Sequence, residues 1–192
     1  MTPLAPDRPG AVAPAFPPEL AARARRVRLL LFDVDGVLTD GTILLDADGR
    51  ESKRFSIRDG TALVWARQAG LLTGVLSART AAATTERARQ LGMAVVRQQA
   101  GDKVAAFAEI LAEQGLAAED VAYMGDDLMD LPVLRLAGVS AAPADAAEAV
   151  RARVHFVSRL PGGAGAVREF IEGVLQAQDR WTPIAARYGV EA

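Results

Sequence analysis

The chain has 192 residues, 51% of them hydrophobic and 24% charged, which is the balance of a folded globular protein and excludes a disordered one. Lys plus Arg total 22 and Asp plus Glu total 24, so the net charge of 22 − 24 = −2 gives no support for broad electrostatic binding to nucleic acid or to an acidic membrane. The absence of cysteine excludes disulfides, thiolate metal sites and cysteine nucleophiles. No stretch approaches the ~20 apolar residues that span a bilayer. Since the N-terminal stretch does not read as a secretory signal either, we expect a cytoplasmic protein.

The ends of the chain differ in composition from its middle. Residues 1–18 are rich in proline and alanine and are expected to form a disordered leader. Residues 19–178 are expected to form one domain, and 179–192 a C-terminal tail. Trp181 and Tyr188 lie in that tail, where two interpretations remain open: they anchor the tail to a partner, or the tail is disordered.

Strand-like and helical segments alternate along the domain. A short helix is expected near Glu19, and the apolar run Val27–Val34 predicts a strand buried on both faces of a parallel sheet. The further strand segments are Gly74–Leu76, Ala94–Val96, Val121–Met124, Val139–Ala141 and Val154–Val157, and helical segments begin near Asp59, after Thr80, and near Asp102, Leu128 and Ala166. This alternation predicts an α/β fold, a doubly wound, Rossmann-like parallel sheet with helices on both faces.

One segment interrupts the alternation. Residues 42–55 contain two short strand-like runs separated by Asp48-Gly49, which is a strong hairpin-turn signal. The predicted hairpin has an apolar side formed by Ile43, Leu45 and Phe55. That side either packs against another subunit or folds over its own domain.

The first strand is followed by paired carboxylates. Asp33 and Asp35 lie two residues apart as this strand ends, so both side chains can face one site, and Gly36 lets the chain turn away. Ligands of open α/β sheets bind outside the carboxyl ends of the strands. Two adjacent carboxylates repel each other unless a cation lies between them, and Mg²⁺ is the oxygen-seeking candidate. An acidic turn with no such role is the competing interpretation.

A second acidic group follows another predicted strand. Gly125 allows the turn, and Asp126 is interpreted as a metal ligand that completes the site with Asp33. Asp127 and Asp130 are expected to support the site from behind it, although each could simply cap the next helix.

Two weaker candidates lie between the acidic groups. Ser77 offers a hydroxyl and a backbone N–H for phosphate oxygens at an expected helix start, although it could be a simple N-cap. Lys103 could neutralise both a phosphoryl group and a nucleophilic carboxylate, although an isolated lysine is usually a solvated surface residue.

Taken in order, these four elements resemble the motifs of the haloacid dehalogenase-like phosphatase superfamily. The resemblance implies that Asp33 is the nucleophile, that Asp35 is the general acid and base, and that Ser77 and Lys103 assist. It also implies Mg²⁺ as cofactor, held by Asp33, the Asp35 carbonyl and Asp126. The hairpin replaces the separate cap domain that many members carry.

Local strings narrow the resemblance further. Residues 33–41, 53–60, 125–131 and 160–169 are similar to 3-deoxy-D-manno-octulosonate 8-phosphate phosphatases, whose relatives act on nonulosonate 9-phosphates. The residues that this resemblance places against a phosphorylated sugar acid are Thr39, Arg58, Asp59, Gly60 and Arg79, and the two arginines suit a substrate with two anionic groups. Ala78 and Gln99 depart from the usual glycines.

The resemblance also concerns assembly. Such enzymes are cytoplasmic homotetramers in which hairpins meet at the centre and C-terminal tails reach adjacent active sites. Two alternatives stay open: a phosphatase of a nonulosonate 9-phosphate or another small phosphomonoester, and a non-catalytic phosphatase-like module that assembles or regulates a partner. The intact Asp33, Asp35, Lys103 and Asp126 argue against the module.

Overall fold

Over the residues that it describes, 16–190, the computed structural model contains a six-stranded parallel sheet and a separate two-stranded hairpin. In chain order the strands are β1 (Leu29–Phe32), β2 (Leu44–Leu45), β3 (Glu51–Ser52), β4 (Leu72–Leu76), β5 (Val95–Arg97), β6 (Val121–Met124), β7 (Val139–Ala142) and β8 (Phe156–Val157). The sheet order is β5-β4-β1-β6-β7-β8, and β2 pairs only with β3. The predicted α/β fold with a parallel sheet is confirmed.

Helices cover both faces of the sheet. They are α1 (Pro18–Ala24), α2 (Ile57–Gln68), α3 (Ala82–Leu91), α4 (Lys103–Gln114), α5 (Leu131–Leu136), α6 (Glu148–Arg151), α7 (Ala166–Ala177) and α8 (Trp181–Ala186). Alternate residues of β1 enter opposite apolar layers: Leu30 and Phe32 pack with α2 and α7, whereas Leu29 and Leu31 pack with α4 and α5. The continuous apolar run of β1 therefore reflects burial on both faces.

The register of the central strands fixes where their polar ends lie. Phe32 at the end of β1 is paired with Val75 of β4 and with Met124 of β6. The residues that follow these three strands therefore emerge at the same edge of the sheet. This is the edge at which the sequence predicts the site.

The hairpin is shorter than the predicted 42–55 segment, and its two sides differ. Phe55 packs against the core that includes α2 and α7. Ile43 and Leu44 are about half exposed, and Leu45 is 65% exposed. Its strand tip is therefore uncovered within this chain, while its base folds over the domain.

Ordered residues lie beyond both predicted ends of the domain. Most of the predicted leader lies outside the described residues, but Phe16, inside the 1–18 range, is buried against Phe156 and Phe170. In the predicted tail, helix α8 buries Trp181 edge-on against Trp65 of α2. Over the residues described here, part of the tail thus packs on its own domain, and its contact with a partner stays a prediction.

Membrane insertion by a helix finds no structural support. Among residues 16–190, no helix combines the length and the apolar composition needed to cross a bilayer.

Candidate active site

An open cleft of about 210 Å³ lies at the carboxyl edge of the sheet. It is lined by residues from the loops after β1, β4 and β6, namely Asp33, Asp35, Gly41, Ser77, Ala78, Arg79, Asp126, Asp127 and Met129. The structure thus brings together Asp33, Asp35 and Asp126 with Ser77 and Arg79, which the sequence separates by up to 93 positions (126 − 33).

Asp33 is held at both carboxylate oxygens. One oxygen accepts a hydrogen bond from the Val34 backbone N–H at 2.7 Å, and the other lies 3.0 Å from the Lys103 ammonium. The side chain is largely buried beneath the cleft. A carboxylate fixed in this way presents one defined face to a reacting atom, which is the requirement for in-line attack.

Lys103 is a buried cation held between two carboxylates. Its side chain is 4% exposed, and its ammonium lies 2.6 Å from Asp130 as well as 3.0 Å from Asp33. Burial by itself would lower the pKa of Lys103, but Asp33 and Asp130 more than offset this and raise it. The lysine is therefore a fixed positive charge of the site, and not the solvated surface residue that composition alone favours.

Asp130 organises the floor of the site. It is fully buried, and one of its oxygens accepts hydrogen bonds from Lys103 and, at 2.5 Å, from the Tyr123 hydroxyl. The other oxygen accepts the backbone N–H groups of Asp126 and Asp127 at 3.1 and 3.3 Å. Asp130 thus fixes both the lysine and the loop that carries Asp126.

The residues present fit a divalent metal ion. Carboxylate oxygens of Asp33, Asp126 and Asp130 lie within 4.8 Å of one another, as hard oxygen ligands of Mg²⁺ would. Because Asp130 already accepts four hydrogen bonds, Asp33 and Asp126 are the carboxylates available to the metal. Gly36 packs so closely on Asp126 that a Cβ there would lie 2.0 Å from a carboxylate oxygen, so the glycine leaves room for this ligand.

The charges of this cluster are unbalanced without a cation. Burial, followed by repulsion from Asp33, Asp130 and Asp127, raises the pKa of Asp126 to about 7. Burial and Asp130 raise the pKa of Asp33 to about 6, against the opposing effect of Lys103. The raised pKa values reflect burial and mutual repulsion of neighbouring carboxylates, which a bound divalent cation would relieve.

Asp35 has a buried lysine of its own. Lys53, at the base of the hairpin, donates a short hydrogen bond to Asp35 and forms an ion pair with Glu51 at 2.8 Å. Arg79 contacts the same two carboxylates, at 2.6 Å to Glu51 and 3.4 Å to Asp35. Burial alone would lower the pKa of Lys53, but its hydrogen bonds to Asp35 and Glu51 outweigh this and raise it.

A glycine-rich loop supports the loop after β1 from behind. A Cβ at Gly162 would lie 1.9 Å from the Gly36 carbonyl oxygen, so that only glycine fits this approach. Gly163 has φ +64° and donates its N–H to the Val37 carbonyl at 2.9 Å. These glycines therefore shape the catalytic loop, and they do not form an anion site of their own.

The structure separates several predicted substrate residues from the cleft. Thr39 is buried, where its hydroxyl accepts N–H groups of Gly36 and Gly41 within the loop. Asp59 is buried, and its two oxygens accept N–H groups at the start of α7. Gly60 faces α3, where a Cβ would meet Arg87. The polar groups of Thr39 and Asp59 and the space at Gly60 are thus used within the fold, and contact of these three residues with a substrate stays a prediction.

The remaining two predicted substrate residues, Arg79 and Arg58, differ in their position relative to the cleft. Arg79 lines the cleft, and its contact with a substrate stays a prediction. Arg58 lies exposed on the first turn of α2 and does not line the cleft within this chain.

Ser77 lies in the cleft, but its surroundings differ from the prediction. Its backbone N–H donates to the Arg97 carbonyl within the sheet, and α3 begins only at Ala82. Its hydroxyl accepts the Arg79 N–H at 3.3 Å. Only the hydroxyl is therefore available to a ligand, since the backbone N–H is committed to the sheet.

Sequence reasoning missed three contributors to the site: Glu51, Lys53 and Tyr123. A signal existed for the first pair, because residues two apart in a strand share a face. Tyr123 interrupts an otherwise apolar strand, and a buried hydroxyl needs a partner. Neither signal, however, indicates that Lys53 contacts Asp35 or that the Tyr123 hydroxyl contacts Asp130.

Comparison with known proteins agrees with this geometry. The sequence profile of haloacid dehalogenase-like hydrolases matches residues 76–171. The 3-deoxy-D-manno-octulosonate 8-phosphate phosphatase of Yersinia pestis is 40% identical over 162 residues, which cover 84% of this chain and 87% of the relative. This chain belongs to the 3-deoxy-D-manno-octulosonate 8-phosphate phosphatase family of haloacid dehalogenase-like hydrolases.

Solved structures of this phosphatase family show the same fold. The Moraxella catarrhalis enzyme, in complex with magnesium, phosphate and the sugar acid, is 34% identical with a TM-score of 0.86, covering 88% of this chain and 98% of that one. The cobalt-bound Haemophilus influenzae enzyme is 35% identical with a TM-score of 0.83, covering 87% and 98%. These relatives bind a divalent metal ion, and the Asp33 and Asp126 carboxylates of this chain are arranged so that they could hold one as well.

Proposed function

We propose that this protein hydrolyses 3-deoxy-D-manno-octulosonate 8-phosphate to the free sugar acid and inorganic phosphate through an aspartyl-phosphate on Asp33. The observation that carries the proposal is the buried Asp33–Lys103 pair at the floor of a cleft that also contains Asp35, Ser77 and Asp126. Membership of the phosphatase family supports the substrate.

The first half-reaction transfers the phosphoryl group to the enzyme. An oxygen of Asp33 attacks phosphorus while the bond from phosphorus to the sugar oxygen breaks. The carboxyl group of Asp35 donates its proton to that leaving oxygen, giving the free alcohol. Lys103 offsets the negative charge that Asp33 and the phosphoryl group bring together, and the Ser77 hydroxyl donates to a phosphoryl oxygen.

The second half-reaction releases phosphate. The carboxylate of Asp35 now accepts a proton from water, whose oxygen attacks phosphorus and displaces Asp33. Asp33 returns to its free carboxylate form, so the cycle consumes one water molecule. Asp126, Asp33 and the Asp35 carbonyl would hold Mg²⁺, which when bound neutralises charge between carboxylate and phosphoryl oxygens.

Substrate selection is proposed to rest on the rim of the cleft. Arg79 is about half exposed and lies beside Asp35, where its guanidinium can meet the carboxylate of a sugar acid. Arg58 points to solvent in this chain, so its part in binding requires a closed or assembled form. A nonulosonate 9-phosphate has the same two anionic groups and remains the second candidate substrate.

Assembly and location complete the proposal. The exposed Ile43, Leu44 and Leu45 at the hairpin tip support association of several copies, which we propose to be a homotetramer. A cytoplasmic location suits a substrate with two anionic groups, since such a molecule does not cross a bilayer unaided. Light scattering combined with size-exclusion chromatography would test the tetramer.

Phosphate release from a panel of sugar-acid phosphates and simple sugar phosphates, with and without Mg²⁺, tests the function. We expect Mg²⁺-dependent turnover with the highest kcat/KM for the eight-carbon 8-phosphate. A higher value for a nine-carbon 9-phosphate would replace the substrate but keep the mechanism. No turnover of any phosphomonoester would contradict the proposal and favour a non-catalytic module.

A further inference from the structure

Four charged side chains form a closed ring of ion pairs, two members of which, Asp35 and Arg79, line the cleft with Asp33. Lys53 joins Asp35 to Glu51, and Arg79 joins Glu51 back to Asp35, so that positive and negative groups alternate around the ring. The ring connects three separate parts of the chain: the loop after β1, strand β3 with the residue just beyond it, and the loop after β4. The hairpin is thereby tied to the catalytic loop by charge.

The members of the ring are not equally accessible. The Lys53 side chain is 3% exposed, and its ammonium is committed to Asp35 and Glu51. The Arg79 side chain, by contrast, is 47% exposed and faces the cleft. Lys53 therefore contacts only the ring, whereas Arg79 can also contact a substrate.

We infer that Lys53 and Glu51 are positioning residues for the general acid: Lys53 fixes the Asp35 carboxyl group toward the leaving oxygen, and Glu51 fixes Lys53 and Arg79. The inference rests on the proposed role of Asp35. It gives the hairpin base a part in the chemistry that is separate from any role of the hairpin tip in association.

The geometry favours positioning over direct substrate binding. Lys53 pairs with two carboxylates and is not among the residues that line the cleft, and breaking a buried ion pair leaves its partner free to reorient. Proton transfer depends on placing the acid within hydrogen-bond reach of the leaving oxygen. A displaced Asp35 would therefore slow the first half-reaction only where the leaving group needs a proton, whereas the second half-reaction is common to all substrates. The quantity to compare is therefore kcat/KM, which reports steps up to phosphoryl transfer.

Two substrates separate this effect from general damage. The leaving oxygen of a sugar phosphate would be a strongly basic alkoxide, so it needs the proton. The leaving group of p-nitrophenyl phosphate is a weakly basic phenolate, which does not. Relative to the unaltered enzyme, we expect Lys53→Met to lower kcat/KM for the sugar phosphate about 10- to 100-fold, a part of the usual contribution of general acid catalysis, and kcat/KM for p-nitrophenyl phosphate about threefold or less. Glu51→Gln should show the same pattern more weakly.

Arg54→Gln is the matched control. Arg54 follows Lys53 in the chain and pairs with Asp40 at the surface, with its side chain 78% exposed. Both kcat/KM values of this variant should stay within about twofold, since exposed ion pairs contribute little. Melting temperatures of all variants would show that they are folded.

The Asp35→Asn variant distinguishes a failure of the proposed acid role of Asp35 from a failure of the positioning role inferred for Lys53. If Asp35→Asn itself lowers kcat/KM equally for both substrates, the proposed acid role is wrong. If Asp35→Asn is selective for the sugar phosphate but Lys53→Met is not, the positioning inference is overturned. The inference also requires that Lys53→Met cost nothing further in the Asp35→Asn background, because residues that act through one group are not additive. A full additional loss in the double variant would assign Lys53 a different role.

Discussion

The ammonium of Lys103 lies 3.0 Å from the carboxylate of Asp33, although the two side chains are only 4% and 9% exposed. A buried carboxylate without a partner would be strongly disfavoured in its charged form, and the attacking group must be charged. The lysine therefore favours the anionic form of Asp33 at the floor of the cleft. The same contact allows Asp33 to approach a phosphate that is itself negative.

The first prediction concerns the nucleophile. Asp33→Asn should lower phosphate release by at least about 10³-fold, because an amide oxygen cannot form the covalent intermediate. Folding should persist, since Lys103 keeps Asp130 as a partner and one repulsion among the carboxylates is removed. Steady-state phosphate release and thermal melting measure the two effects. Activity near that of the unaltered enzyme would exclude Asp33 as nucleophile.

The second prediction concerns pH and metal binding. In the metal-free folded state the pKa values of Asp33 and Asp126 are raised from 3.8 to about 6 and about 7. The folded state then binds protons more tightly than the unfolded chain, so the stability from these groups is present below about pH 4 and is lost as pH rises through about 7. Mg²⁺ must displace those protons. We therefore expect Mg²⁺ to raise the melting temperature more at about pH 8 than at about pH 5.

Asp126→Asn provides the control for this titration. This variant should lose most of the Mg²⁺-dependent rise in melting temperature at the higher pH, because it removes one of the two carboxylates available to the ion. An equal rise at both pH values in the unaltered enzyme would show that protonation of these groups does not compete with the metal.

The third prediction concerns the floor of the site. Asp130→Ala should destabilise the fold by about 3–5 kcal/mol, because it removes a buried partner of Lys103 and leaves N–H groups unbonded. Asp127→Ala should cost about 1 kcal/mol, since Asp127 is exposed and caps only Leu128. Urea unfolding would measure both. Equal losses of unfolding free energy in the two variants would contradict the view that Asp130 organises the floor of the site and Asp127 does not.

The sequence predicts the fold and the centre of the site well, because both depend on local pattern. Apolar runs ending in Asp33 or Gly125 indicate strand and turn, and parallel strands must meet at one edge. The contacts of Lys53 and Asp59 depend instead on how distant segments pack. Asp59 precedes Gly165 by 106 positions, and no periodicity relates them. A motif shared with a family identifies such residues without saying whether they face substrate or backbone.

Asp59 gives the fourth prediction. Its two oxygens accept the N–H groups of Gly165 and Arg168 at 3.2 and 2.8 Å, where they meet the positive end of helix α7. Asp59→Ala should therefore lower stability by about 1–3 kcal/mol, because buried donors lose their acceptor. The KM for the sugar phosphate should change less than about twofold at a temperature where the variant is folded. A large rise in KM with unchanged stability would show that Asp59 contributes to substrate binding rather than to the packing of α7.

The final prediction concerns the C-terminal helix. Trp181 is buried edge-on against Trp65 at 5.6 Å between ring centroids, and the Arg168 guanidinium lies 4.8 Å from the Trp65 ring. Trp181→Ala should cost about 3–5 kcal/mol and lower the melting temperature by about 10 °C, because it opens a cavity beside α2. Tyr188→Phe, which removes only the hydroxyl that accepts the Trp65 indole N–H, should cost about 1 kcal/mol or less. If the tail instead served a neighbouring active site, Trp181→Ala would alter turnover while leaving the melting temperature unchanged.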